Sequence, residues 1–262
     1  MTKGNFIESF GVGWDPLCCL PPIDSLRTAD EKLSFQATVT RVEAALRSFH
    51  PLALSISKMF HEEKYELQNP TIRWCKSILT TTPKDRAYFA PKANLYAEIF
   101  YDPLSLDATN LDQVEIGKLA VRIAESTLRK LSDWSDFPTE LVTSALRKFE
   151  AANYTYTWDI KRALIDKKLT QIIVSGEISA SKTTCTFEVS REGNVLYASK
   201  VWEADGAQWQ LAQRFNKLSV VDGQLIVGVL TDRIVDAFSV DLDSLPADAK
   251  HALITKSGSL KR

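Results

Sequence analysis

The chain has 262 residues, of which 45% are hydrophobic and 25% charged, with 32 basic residues against 33 acidic. That much apolar material can bury a sizeable core, which excludes a disordered chain and a disulfide-dependent mini-fold. The balanced charge argues against wrapping nucleic acid through a general positive excess, and no apolar run is long enough to suggest a membrane helix or a membrane partner.

In chain order, residues 1–27 read as an irregular arm with apolar anchors at Phe6, Ile7, Phe10, Trp14 and Leu17. Glu8, Asp15, Pro16, Pro21 and Pro22 interrupt any stretch that could serve as an export signal. Thr28-Ala29-Asp30-Glu31 is a capping box that opens a helix, and Phe35, Val39, Val42, Leu46 and Phe49 form its apolar stripe. His50-Pro51 ends it, because the residue before proline avoids the helical region. A second helix is expected over 52–66, with Leu52, Ile56, Met59 and Phe60 inward. Residues 67–92, with Pro70, Pro83 and Pro91, read mostly as connection with a short helix around Trp74.

Asn94–Tyr101 is rich in aromatic and β-branched residues and reads as a strand. Asn110-x-x-Gln113 starts the longest helix, with Val114, Val121, Ala124, Leu128 and Leu131 on one face, and Pro138 opens another that runs to about residue 151. Tyr154–Trp158 alternates like a strand, and residues 159–168 read as a short basic helix or turn. A meander is expected at about 171–179, 183–190 and 194–203. Asp205-x-x-Gln208 then caps a helix carrying Leu211, Ala212 and Phe215. Asp222-Gly223 between Leu218–Val221 and Gln224–Val229 is a strong hairpin signal. Helical stretches near 231–238 and 246–254 and a frayed tail at 256–262 close the chain. The expected class is α+β, with a mostly antiparallel sheet packed with helices. A helical segment at 28–92 and a mixed body at 93–255 are expected to form one globular unit.

Catalytic motifs are thin. His61-Glu62-Glu63-Lys64-Tyr65 begins like a zinc-protease helix, but Tyr65 stands where the second histidine belongs. Gly11-Val12-Gly13 lacks the third glycine of a dinucleotide loop, since Pro16 replaces it. Asp159-Ile160-Lys161 matches the acid-x-Lys of metal-dependent nucleases, with Glu98 or Glu177 as a second acid. The same three-residue pattern recurs ending at Lys32, Lys64, Lys168 and Lys250, so it singles out no site. The pairs Asp133/Asp136 and Asp232/Asp236, and the cluster Lys161, Arg162, Lys167 and Lys168, have the spacing of solvated faces. Cys18, Cys19, Cys75 and Cys185 include no C-x-x-C spacing, so reduced thiols and a cytoplasmic location are expected. Neither a cofactor nor a metal site is expected.

A three-residue loop, Arg191-Glu192-Gly193, would place Cys185, Phe187 and Val189 on one face with Val195, Tyr197 and Val201, whereas a two-residue loop, Glu192-Gly193, would invert the faces. With the three-residue loop, the other face would carry Leu196, Lys200 and Trp202 as an interaction surface, since tryptophan anchors many binding sites. The leading expectation is a non-catalytic protein-binding protein, such as an immunity or inhibitor protein that neutralises a toxin or enzyme. A metal-dependent nuclease, or other enzyme of unrecognised family, and a structural or assembly subunit of a larger complex are the alternatives.

Overall fold

Glu31 donates its backbone N–H to Thr28 Oγ1 at 3.2 Å, and its carboxylate accepts from the Thr28 amide at 2.8 Å. This capping box satisfies two donors that a helix start would otherwise leave open, and it begins α1 (Ala29–Leu46). A short 3-10 turn, Arg47–Phe49, separates α1 from α2 (His50–Glu63). Proline suits the first turn of a new helix, so Pro51 lies inside α2 rather than beyond it. Leu52, Ile56, Met59 and Phe60 all point into the core, as their spacing requires.

The computed structural model describes residues 9–16, 19–63, 74–90, 94–107, 111–132, 137–164, 170–208, 215, 218–221, 224–231, 234–245, 247 and 250. The chain divides into two compact units, Met1–Tyr156 with Ser179–Ser181, and Thr157–Ile178 with Lys182–Arg262. Helices and antiparallel strands together make the class α+β. Among the described residues no helix is long and apolar enough to cross a membrane.

In the first unit β1 (Ser9–Trp14), β2 (Trp74–Thr80), β3 (Tyr88–Ala90) and β4 (Asn94–Phe100) form a sheet in the order β1-β2-β4-β3. The pairs β1–β2 and β2–β4 are parallel, and only β3 runs antiparallel on β4. Two expectations are corrected here. Part of the supposed irregular arm is β1, with Phe10 buried, and the segment around Trp74 is a strand rather than a helix. A parallel strand covered on both sides needs no alternation of polar and apolar residues. Accordingly Cys75, Ser77, Ile78, Leu79 and Thr80 are all buried in β2.

Asp112, not Asn110, caps α3 (Gln113–Leu131), through a second capping box with Glu115. Val121, Ala124, Leu128 and Leu131 are buried on it as expected. Thr127 of α3 and Ser77 of β2 share a buried hydroxyl hydrogen bond of 2.6 Å, which pins helix to sheet. Pro138 precedes α4 (Thr139–Ala151). After it Asn153 and Tyr154 turn the chain with φ of 52° and 60°, so the next strand starts later than Tyr154. The Tyr154 ring fills the space beside Gly117, where an added Cβ would lie 2.1 Å from Tyr154 Cγ.

The second sheet has the antiparallel order β5-β6-β7-β8, formed by β5 (Tyr156–Leu164), β6 (Thr170–Ile178), β7 (Lys182–Arg191) and β8 (Asn194–Asp205). The meander is where the alternation placed it. The basic stretch after Trp158 is strand, not helix, up to Leu164, with Thr157, Asp159 and Lys161 exposed between half-buried Trp158 and Ile160. Trp158 packs over Gly176. A third sheet, in the order β11-β10-β9, contains β9 (Leu218–Val221), β10 (Gln224–Thr231) and β11 (Ile234–Asp241). The hairpin Leu218–Val221/Gln224–Thr231 has the expected register. The helix expected near 231–238 is instead β11. It carries the β-branched Ile234, Val235 and Val240, and it pairs with β10 along eight positions, from Gln224↔Asp241 to Thr231↔Ile234. Ile172, Val174, Phe187, Val189, Phe215, Leu225, Val227 and Val240 belong to one core in this unit.

The expected helix carrying Leu211 and Ala212 lies outside the described residues, although Phe215 itself is buried. Also outside are the helix at 246–254, apart from 247 and 250, the tail at 256–262, Phe6, Ile7, Leu17, Cys18, Asp133, Asp136, Asp232, Lys167 and Lys168.

Candidate functional site

The β7–β8 turn decides which side chains of β8 share a face. Glu192 and Gly193 both have positive φ, 51° and 82°. That is the signature of a two-residue hairpin loop, and Arg191 pairs with Asn194 across it. A first bulge, at Leu196, brings Tyr197 opposite Val189. A second, at Val201, brings Trp202 opposite Cys185. Each bulge shifts the alternation by one residue, so the two together restore the parity set by the two-residue turn, and Trp202 lies on the apolar face with Cys185. It is half-buried there, its ring centroid 5.7 Å from that of Phe215.

The expected surface of Leu196, Lys200 and Trp202 is therefore not assembled as such. Leu196 and Lys200 are exposed, but Trp202 is turned toward the core. Val195 beside Leu196 is 57% exposed. Lys200 donates to Glu203 at 2.6 Å, and Lys182 reaches the other oxygen at 2.8 Å. These two lysines hold the Glu203 carboxyl below its ordinary range, Lys182 foremost.

The acids considered for nuclease chemistry have different settings. Asp159 binds Arg162 at 2.8 Å on the exposed side of β5. Glu177 is exposed on β6 opposite Thr184. Glu98, on β4, accepts hydrogen bonds from the Tyr88 hydroxyl at 2.7 Å and the Lys84 backbone amide at 2.8 Å. The Lys84 ammonium lies 3.5 Å from Glu98 and 3.8 Å from the centre of the Tyr88 ring. Burial alone would push the Glu98 carboxyl up, but the Tyr88 and Lys84 hydrogen bonds and the lysine charge outweigh it and hold it low. Tyr88 is pushed above its ordinary value, first by burial and then by Glu98.

Burial also pushes the Cys75 and Cys185 thiols up to about 12, which suppresses the thiolate needed for nucleophilic or metal chemistry. His61 is exposed at the end of α2. Among the described residues no three His, Cys, Asp or Glu side chains gather as a metal site would require.

A different feature emerges at the end of β4. Leu95, Ala97 and Ile99 point into the core, and the alternating positions Tyr96, Glu98 and Phe100 point out. Phe100 is 73% exposed. It borders an open depression of about 480 Å³ lined by Pro83 and Asp85 from the β2–β3 loop, Ile99 and Phe100, and Ser126, Arg129 and Lys130 of α3. Lys130 Nζ donates to the Lys84 carbonyl and so ties the loop to the helix end. Arg129 Nη2 donates to Ser126 Oγ at 2.7 Å. Phe100 was visible in the sequence only as one aromatic of a strand. Its outward direction could have been read from the alternation with Glu98.

No protein-family model, curated protein or solved structure matches the chain.

Proposed function

We propose that this chain is a non-catalytic protein-binding protein whose contact site is centred on Phe100. The observation that carries this reading is a phenylalanine 73% exposed at the edge of a concave surface. Large aromatics at the centre of an interface supply much of its binding energy, and a concavity beside one lets a partner side chain be enclosed. The internal partners of Asp159 and Glu98 support a binding role over a hydrolytic one, since both carboxylates are already engaged. An immunity or inhibitor protein that covers a toxin or enzyme is the form that suits such a surface.

The test is affinity capture from the native host with wild-type protein and Phe100→Ala in parallel. Phe100 is largely in water, so its loss should leave the melting temperature within about 2 °C. A partner held in stoichiometric amount by the wild type should be lost by the variant, with affinity reduced at least thirty-fold, as for a hot spot of about 2 kcal/mol. A partner retained equally by Phe100→Ala would refute the assignment.

A further inference from the structure

The depression beside Phe100 is rich in donors. A guanidinium carries five N–H donors and an ammonium three, and neither group accepts. Ser126 takes one donor of Arg129, and the Lys84 carbonyl takes one of Lys130. Among the described residues neither cation is paired with a carboxylate. Asp85 contributes one negative charge to the lining. Both cations lie in the last turn of α3, whose terminal carbonyls add about half a negative unit. Two full positive charges still exceed that sum. The surface thus combines an exposed aromatic ring with a small positive excess and unfilled donors.

We infer that the partner occupies this depression with an acidic side chain beside an apolar one. The carboxylate accepts from Arg129 and Lys130, and the apolar group lies against Phe100. This rests on the protein-binding reading and specifies the chemistry of its partner. A neutral partner would leave the cations to water, and a basic one would meet like charge.

The test uses blocked dipeptides as probes: acetyl-Asp-Phe-amide, acetyl-Asn-Phe-amide and acetyl-Lys-Phe-amide, each titrated into the full chain and followed by backbone-amide NMR. The aspartyl peptide should shift resonances of residues 83–85, 99–100 and 126–130. It should bind about five-fold more tightly than the asparaginyl one, the upper range for an exposed ion pair. Arg129→Gln, whose spectrum reports its folding, should remove that preference. Should this variant fail to fold, comparison of the Asp and Asn peptides on the wild type still decides the matter. Equal binding of those two peptides, tighter binding of the lysyl peptide, or no shift at these residues with any peptide would overturn the inference. Those results bear on the acidic complement. The protein-binding reading falls by a separate result, the retention of partner by Phe100→Ala.

Discussion

At the scale of single residues, Glu98 links local chemistry to stability. Its carboxyl is held low in the folded chain, chiefly by Tyr88 and Lys84 acting against burial. A carboxyl whose folded value lies below its unfolded one stabilises the fold above the unfolded value of about 4.3. That contribution disappears as pH falls through the folded value. Urea unfolding of the wild type should therefore lose stability more steeply between about pH 5 and pH 3 than Glu98→Gln does. Parallel slopes would show that the Tyr88–Glu98–Lys84 contacts contribute nothing in solution. The sequence identified Glu98 as an acid but not its setting. Lys84 lies in a stretch read as connection, and Tyr88 belongs to a strand that was not anticipated.

At the scale of elements, those with one buried face were legible. The capping box of α1 is plain in the sequence, and the stripes of α1, α2 and α3 and the meander announce themselves through periods near 3.6 and 2, whereas the box Asp112–Glu115 was overlooked in favour of Asn110. Strands β1 and β2 were missed for a physical reason. Glycines interrupt β1, and polar Ser77 and Thr80 are buried within β2, so neither shows a clean alternation. Near β11 the four-residue spacing of Asp232 and Asp236 suggested a helix face, whereas within the strand Ile234, Val235, Phe238 and Val240 pair with β10. Trp202 lies on the other face from the one expected because the turn has two residues, Glu192-Gly193, rather than three; the two bulges of β8, which have no signal in the alternation, cancel one another at Trp202. Its packing on Phe215 makes Trp202→Ala a stability change: the unfolding free energy should fall by about 2 kcal/mol or more. A normal denaturation midpoint combined with lost partner capture would restore Trp202 as a contact residue.

At the scale of the whole molecule, the α+β class was evident from the mixture of periods, but the parallel pairing in the first unit was not. Parallel strands are joined through distant connections, so no local turn signal reveals them. The two compact units have separate hydrophobic clusters, represented by Leu128 in the first and Phe187 in the second. Leu128→Ala should lower stability by about 2–5 kcal/mol and Phe187→Ala by about 3–5 kcal/mol. Amide exchange should quicken most in α3 and β4 for the first variant and in β6–β8 for the second. The reverse pattern would contradict the division into these cores.

The two bulges of β8 carry a consequence for how the gene can change length. Asn194–Asp205 spans 12 residues opposite the 10 of Lys182–Arg191, and in their ladder Leu196 and Val201 stand opposite no residue of β7. Excising either residue leaves every cross-strand pair with its present partner. Removing a residue away from the bulges instead transfers a run of side chains between core and water. Leu196 is exposed whereas Val201 belongs to the core, so the strand contains one place, Leu196, where a codon can be lost with the sheet's inside and outside preserved.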